Sequence, residues 1–328
     1  MLAQVLQTLP QVLIDGLSLG AVYAVIAIGY TMVYGILELI NFAHGEIFMT
    51  GAFIGTAILL TFTGFGLLSF MPAILVLVIV LLVTSILTGL LGMGIERIAY
   101  RPLRNAPKLI TLITAIGVSF LLQDIVRFIT ELKQGNYIVT APEIFSGQMK
   151  VKVSSILPGI HDASFKITFL IVIAVAFFMM FGLNLFVNRT KYGMAIRAVA
   201  QDRETAALMS INVNKVISIT FFVGSALGGA TGVLFTMQYG TIDPYIGFIL
   251  GIKAFTAAVL GGIGNIRGAM AGGMIIGMLE MFAAANLSGL TGGIFGAEYK
   301  DVFAFIILIV VLIFKPEGLF GKAIVEKV

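Results

Sequence analysis

Cysteine is absent from this chain of 328 residues, which excludes disulfides, iron–sulfur clusters and cysteine-based zinc sites. Charge is scarce: 11% of the residues are Asp, Glu, Lys or Arg, where a soluble domain carries about 25%. No G-x-x-x-x-G-K-[ST] occurs, so no phosphate-cradling loop and no ATPase site is encoded. No H-E-x-x-H occurs either, so a zinc-dependent intramembrane protease is not supported. The basic residues form no face interleaved with aromatics, which argues against nucleic acid as a partner. The N-terminal MLAQVLQTLPQVLIDG lacks a basic leader and a small-residue cleavage site, and reads as the retained start of a first span. GLSLG at Gly16–Gly20 has the spelling of a nucleophile elbow, but that motif needs a strand-to-helix turn and here it lies in an apolar helix. No catalytic constellation is left, and the chain is expected not to be an enzyme.

What the chain has is apolar length. The hydrophobic fraction is 59% and the mean hydropathy +1.08. Apolar runs of about 20 residues recur, the length that crosses roughly 30 Å of hydrocarbon. They do not alternate polar and apolar residues as barrel strands would. The expected fold class is therefore all-α, a polytopic helical membrane protein of about 8–9 transmembrane segments. Spans are expected at 10–35, 47–64, 72–95, 109–130, 167–187, 216–236, a Gly-rich broken hairpin at 251–285, and 302–314. The hairpin hinges at Gly261–Gly268, and its first piece, Ile252–Leu260, is too short to cross alone. All of this is one transmembrane domain, 1–328, with a polar loop at 189–215 inside it. Glycines recur at four-residue spacing, as at Gly224, Gly228 and Gly232 or Gly273 and Gly277, making smooth helix faces. Tight packing within one subunit and helix sliding during gating are both open readings of those faces.

Lysine and arginine in short connections set the expected orientation. Arg97, Arg101, Arg104 and Lys108 sit in the connection 96–108, and Arg189, Lys191, Arg197, Arg203 and Lys215 in 189–215. Both are expected inside, with 131–166 outside, the N-terminus outside, and the tail carrying Lys315, Lys322 and Lys327 inside.

Nine charges fall outside these connections and the segment from 298 onward: Asp15, Glu38, Glu46, Asp124, Arg127, Asp243, Lys253, Arg267 and Glu280. A charge at bilayer depth costs about 2.5–3.5 kcal/mol or more, so it pairs or faces water. Asp124 and Arg127, at i and i+3, read as a local ion pair, and Asp243 and Lys253 as interfacial residues flanking an external turn. Glu38, Asn41, His44 and Glu46 crowd into one break, ELINFAHGE. They form either a polar turn at the inner surface or a re-entrant element lining a pathway. A metal site at His44 and Glu46 lacks a third ligand. Gly264, Asn265 and Arg267 at the second break, GGIGNIRG, pose the same choice between pathway and packed turn. For the substrate pathway or its gate the candidates are thus Glu38, Asn41, His44, Glu46, Gly264, Asn265 and Arg267.

The remaining polar stretch, Lys191–Lys215, is helical in pattern and lies between two apolar runs. A loop of that kind suits contact with a soluble motor, and the motor would have to be another chain. Three segments give the pattern a family. Asn41-Phe-Ala-His-Gly-Glu46, the run Ala254-Phe-Thr-Ala-Ala-Val-Leu-Gly-Gly-Ile-Gly-Asn265, and the tail from Lys300-Asp301 through Lys315-Pro316 resemble the permeases of branched-chain amino acid ATP-binding cassette importers, and in particular the smaller of the two permease subunits. The resemblance implies a coupling helix that docks on an ATPase, matched here by Ala198–Ile211, with Arg197, Gln201, Asp202, Glu204, Ala207 and Ser210 as coupling residues. The family usually has Gly where this chain has Ser210.

The resemblance also implies partners: a second, homologous permease, two cassette ATPases, a periplasmic binding protein that delivers leucine, isoleucine or valine, and the lipids of a bacterial inner membrane. No cofactor is expected on this chain; ATP and Mg would be used by the ATPase subunits. Two alternatives stay open. One is an ion-coupled secondary transporter with Glu38, Glu46 or Glu280 as the coupling group, and the other is a cassette permease for urea or short amides.

Overall fold

Backbone N–H and C=O groups in hydrocarbon must be satisfied within their own segment, so long apolar runs become helices. A computed structural model of the chain describes residues 2–37, 39, 41–104, 106–145, 150–152 and 164–321. Its helices are α1 (Leu2–Leu37), α2 (Ala43–Gly64), α3 (Leu67–Phe70), α4 (Ala73–Ile95), α5 (Lys108–Gln134), α6 (Ile167–Arg189), α7 (Lys191–Gln201), α8 (Arg203–Leu208), α9 (Val213–Tyr239), α10 (Ile246–Gly261), α11 (Ile266–Leu290) and α12 (Lys300–Phe314). Among the described residues seven helices are long and apolar enough to cross a membrane, α10 being a shorter apolar helix. The chain is a multi-pass helical membrane protein.

Strands are few and short. β1 (Val139–Thr140) pairs antiparallel with β4 (Thr241–Ile242), and β2 (Lys150–Lys152) with β3 (Ser164–Lys166). The second pair gives structure to part of the connection 131–166.

Two stretches differ from the expected boundaries. The connection 96–108 is helical as far as Leu103: a π-helical turn, Glu96–Tyr100, and a 3-10 turn, Arg101–Leu103, prolong α4. Polar residues hold this extension. Glu96 is fully buried, is paired with Arg104, and accepts a hydrogen bond of 2.6 Å from Ser218 at the start of α9. The helix α10 starts at Ile246, six residues before the expected apolar piece. Gly247 and Gly251 disguise its first turns, since glycine disfavours a helix by about 1 kcal/mol. Here they fit a close approach: a methyl group on Gly247 would overlap the Gly45 carbonyl.

The chain divides into two compact units, with boundaries inside α1, α6 and α10. One contains residues 28–145 and 178–252. Its α9 runs between α2 and α4, and the glycine face expected to be smooth is used there. A methyl on Gly51 would overlap the backbone of Gly229, one on Gly232 the carbonyl of Phe48, and one on Gly229 the side chain of Thr88. Such contacts bring helix axes together by van der Waals packing, the force available between helices in lipid. Where α2, α4 and α9 meet, Leu59, Val76, Val80 and Val233 form a buried apolar cluster.

The other unit contains residues 1–27, 146–177 and 253–328. There α11 packs against α1 through Gly273 and Gly277, where added methyls would overlap Ala24 and Gly20. It packs against α10 through Gly272 and Gly268, where they would overlap the Ala257 and Gly261 carbonyls. The tail closes over the turn between α10 and α11: Leu319 N–H donates to the Leu260 carbonyl (2.8 Å) and Phe320 N–H to that of Gly261 (3.2 Å).

Candidate functional site

The polar segment after α6 is two helices with a corner between them. Thr190 starts α7, its hydroxyl accepting from Gly193 N–H at 3.0 Å. Gly193, Ile196 and Val199 form the buried stripe of α7, the spacing of an amphipathic helix. Asp202 has extended backbone (φ −160°, ψ 113°) and ends α7. It also caps α8, accepting from the N–H groups of Glu204 (2.9 Å) and Thr205 (3.0 Å). The Thr205 hydroxyl adds a hydrogen bond of 2.6 Å. Thr205, through that bond and its backbone N–H, holds the Asp202 carboxyl below its ordinary value. A depressed value means that this cap contributes above the ordinary carboxylate range and is lost as pH falls through the lowered one, so it is complete at neutral pH.

After α8 the chain turns by a Schellman motif: Ile211 N–H donates to the Ala206 carbonyl (3.1 Å) and Ser210 N–H to that of Ala207 (3.1 Å). Ser210 has φ 65°, the left-handed conformation that this motif usually gives to glycine. Asn212 then caps α9 through Lys215 N–H at 3.0 Å. Two anchors fix the corner. The guanidinium of Arg203 donates to the Ile36 carbonyl at the end of α1, Nε at 3.0 Å. Arg104 donates to Asn214 at 2.5 Å. A cleft of about 430 Å³ lies beside the corner, with Ile36, Arg104, Lys108, Gln201, Asp202 and Glu204 in its wall.

Each expected coupling residue can now be placed. Arg197, Gln201, Asp202, Glu204, Ala207 and Ser210 are all exposed, and Arg197 donates to Asn188 at 3.1 Å. Glu204 and Ala207, three apart on α8, share a face. Beside them Leu208 is 84% and Met209 73% exposed. Residue-by-residue reasoning passed over these two because a Leu-Met pair reads as core. Their position at the end of the capped, anchored helix α8 is the signal that they face outward.

The first polar break is narrower than ELINFAHGE suggests. His44 and Glu46 lie in the first turn of α2 and are buried to 1% exposure, so they do not form a surface turn. Glycines make room for them: methyls on Gly29 and Gly247 would overlap the His44 ring and the Glu46 carboxylate respectively. Glu46 Oε1 accepts from Ser119 at 3.2 Å, while Oε2 is buried with no hydrogen-bond partner among the described residues. The His44 ring meets Tyr30 edge-on, centroids 4.8 Å apart. Asn41 accepts from Tyr100 at 2.6 Å, and its backbone carbonyl from His44 N–H at 3.0 Å. The structure thus brings Asn41, His44 and Glu46 into buried polar contacts with Tyr100, Tyr30 and Ser119 respectively. Glu38 lies outside the described residues.

The second break is a turn with a cap. Gly262 and Gly264 have φ of 101° and 89°, which glycine alone adopts readily. Asn265 caps α11 through Gly268 N–H at 3.1 Å and donates to the Phe320 carbonyl at 2.9 Å. Arg267 is exposed. This turn belongs to the other unit from the residues around Asn41.

Other stranded charges are placed differently from expectation. Arg127 pairs with Glu131, one turn on (3.1 Å), rather than with Asp124. Lys253 is not interfacial. It is buried in α10 and pairs with Glu280 of α11 (2.9 Å) and with Asp301 of α12 (2.8 Å). Glu280 also accepts from Tyr23 (2.7 Å) and pairs with Lys300 (3.0 Å). Sequence reading missed this cluster because Lys253 and Glu280 stand 27 positions apart on different helices.

Seven long apolar helices among the described residues, with buried polar clusters and a capped, exposed connecting segment, make this a multi-pass helical membrane protein. A family model described as "Branched-chain amino acid transport system / permease component" matches residues 12–312. The chain belongs to that family. It is 45% identical over 318 residues, 97% of each chain, to the "high-affinity branched-chain amino acid transport system permease protein BraD" of Pseudomonas aeruginosa. It is 43% identical over 326 residues, again 97% of each, to the permease protein LivH of Escherichia coli K12. A probable LivH of Methanocaldococcus jannaschii is 29% identical over 301 residues, covering 90% of this chain and 87% of that protein. No solved structure matches the chain.

Proposed function

We infer that this chain is a permease subunit of an ATP-driven importer and carries leucine, isoleucine and valine across a bacterial inner membrane. The observation that supports it best is the α7–α8 corner, whose exposed Glu204, Ala207, Leu208 and Met209 follow a helix fixed at both ends. In this reading the corner docks into a cleft on a cassette ATPase. Rigid capping lets it transmit force, and the anchors through Arg203 and Arg104 pass motion to α1 and α4. A second, homologous permease, two ATPases and a periplasmic binding protein complete the assembly. ATP and Mg are handled by the ATPase subunits. The chain itself does not hydrolyse ATP.

Asn41, His44 and Glu46 take the role of pathway or gate on one unit, and Gly264, Asn265 and Arg267 on the other. A hydrophobic amino acid is a zwitterion with an apolar side chain. Its passage needs transient polar partners, not a tight site, and a few buried polar groups among glycine-packed helices meet that need.

The test is reconstitution. The chain is purified with a second permease and two cassette ATPases from the same operon and placed in liposomes. Labelled leucine is then supplied with the binding protein. Uptake that requires internal ATP and the binding protein is the expected result. Uptake driven by a proton or sodium gradient without the ATPases would make the chain a secondary transporter. ATP-driven uptake of urea or short amides but not leucine would overturn the substrate.

A further inference from the structure

Two cations and two anions gather within one unit where α10, α11 and the start of α12 meet. Their exposure is graded: side chains are 2% exposed at Glu280, 8% at Lys253, 32% at Lys300 and 35% at Asp301. The cluster therefore has a floor, Lys253 and Glu280, and an outer pair that is partly exposed. The floor residues touch each other at 2.9 Å, and each also holds one outer charge of opposite sign. Lys253 holds the Asp301 carboxylate at 2.8 Å, and Glu280 holds the Lys300 ammonium at 3.0 Å.

Lys300 and Asp301 are adjacent in sequence and open α12. Together they present an ammonium and a carboxylate to a single Lys253–Glu280 contact. The ammonium and carboxylate of a free α-amino acid stand only a few ångströms apart and carry the same two charges. We propose that Lys253 and Glu280 form a zwitterion-binding subsite for the backbone ends of the transported amino acid, and that Lys300–Asp301 occupies this subsite as an internal stand-in when no substrate is present. Exchange conserves the ion pairs: the substrate carboxylate replaces Asp301 on Lys253, and its ammonium replaces Lys300 on Glu280. Charge balance is kept at every stage, which matters for buried groups, where an unpaired charge is costly. Tyr23, donating to Glu280 at 2.7 Å, holds the floor in place while the outer pair changes.

The subsite reads the two ends that leucine, isoleucine and valine share and leaves the side chain to other contacts. It rests on the amino acid reading above. A wild-type complex that fails to transport leucine would refute that reading. The subsite is tested only against a wild type that transports.

The experiment uses the whole reconstituted importer and compares transport with abundance. Replacing a buried ion pair by apolar groups of similar size commonly leaves folding intact. Lys253→Met combined with Glu280→Leu is therefore expected to assemble at normal abundance. It should transport leucine at least about tenfold more slowly per complex, the loss of charge-assisted contacts to substrate. Lys300→Gln with Asp301→Asn should lower the KM for leucine, since a competitor has been removed. Normal turnover per complex in the Met/Leu variant overturns the proposal, as does an unchanged or raised KM in the Gln/Asn variant. Should the Met/Leu variant fail to assemble, Lys253→Arg and Glu280→Asp are read singly. A raised KM at normal abundance supports the subsite, and an unchanged KM and kcat in both leaves only an ionic latch between helices.

Discussion

At Ser210 the backbone enters the left-handed region with φ 65°, the one non-glycine among the described residues to do so. A serine thus stands at the very position where the Schellman turn favours glycine. A side chain there costs about 1 kcal/mol. Ser210→Gly should therefore tighten the turn by roughly 0.5–1 kcal/mol, after allowing for the greater freedom of glycine in the unfolded chain. Hydrogen exchange across 203–212 should slow by about two- to fivefold, and faster exchange would refute this account. A pair of substitutions separates two roles that polar residues play here. Glu46 keeps a buried oxygen with no partner among the described residues, whereas Asn265 caps a helix and tethers the tail. Glu46→Gln should keep complex abundance and change transport, or uncouple ATP hydrolysis from it, by about tenfold. Asn265→Ala removes a cap worth about 1 kcal/mol. If Asn265 acts only in the turn, abundance falls and turnover per complex holds. If it acts in the gate, turnover changes while abundance holds. Normal turnover per complex in both variants would remove both residues from the pathway.

Among the elements, α8 carries the most direct consequence. The face proposed to dock is short, capped by Asp202 and ended by Ser210, so if it docks, a change on it acts on contact with the partner more than on the fold. Glu204→Lys reverses a charge on an exposed face, and Ala207→Asp places a charge where a partner would bury it. Both should reduce co-purification of the ATPase subunits and leave the abundance of this chain in the membrane unchanged. Full complement and full transport in both variants would show that the ATPase docks elsewhere. How far such elements can be read beforehand depends on whether their determinants are local. The long spans were legible because twenty apolar residues decide a helix without help from distant parts. The polar character of 191–215 was legible for the same reason. The corner at Asp202 was not read, although Asp202 followed by Glu204 and Thr205 is a local capping signal; the continuous helical pattern on either side masked it. The early start of α10 was hidden by glycines whose purpose is a neighbouring helix. Lys253 with Glu280, and Glu96 with Arg104 and Ser218, depend on contacts between elements, and no spacing in the chain announces them.

For the whole molecule the open question is which ends of the spans face the cytoplasm. The basic residues Arg101, Arg104 and Lys108 stand near the end of α4 and the start of α5, and Arg189, Lys191, Arg197 and Arg203 around α7 and α8. Arg104 bonds to Asn214 and Arg203 to the end of α1, so both groups lie at one end of their unit. Positive charge in short connections is held on the cytoplasmic side, and an ATPase can be reached only from there. Positions 108 and 197 should therefore be inside. Position 288, near the opposite end of α11 from the capped turn at Asn265, should be outside. Gly147, expected outside as well, lies outside the described residues. The lack of any native cysteine makes the test direct. Single cysteines at 108, 147, 197 and 288 are exposed in turn to a membrane-impermeant thiol reagent, first in intact spheroplasts and then after permeabilisation. Positions 147 and 288 should label in intact spheroplasts, and 108 and 197 only after permeabilisation. Labelling of 197 in intact spheroplasts would place the α7–α8 corner on the wrong side for an ATPase, and the coupling role assigned to it would fall with the topology.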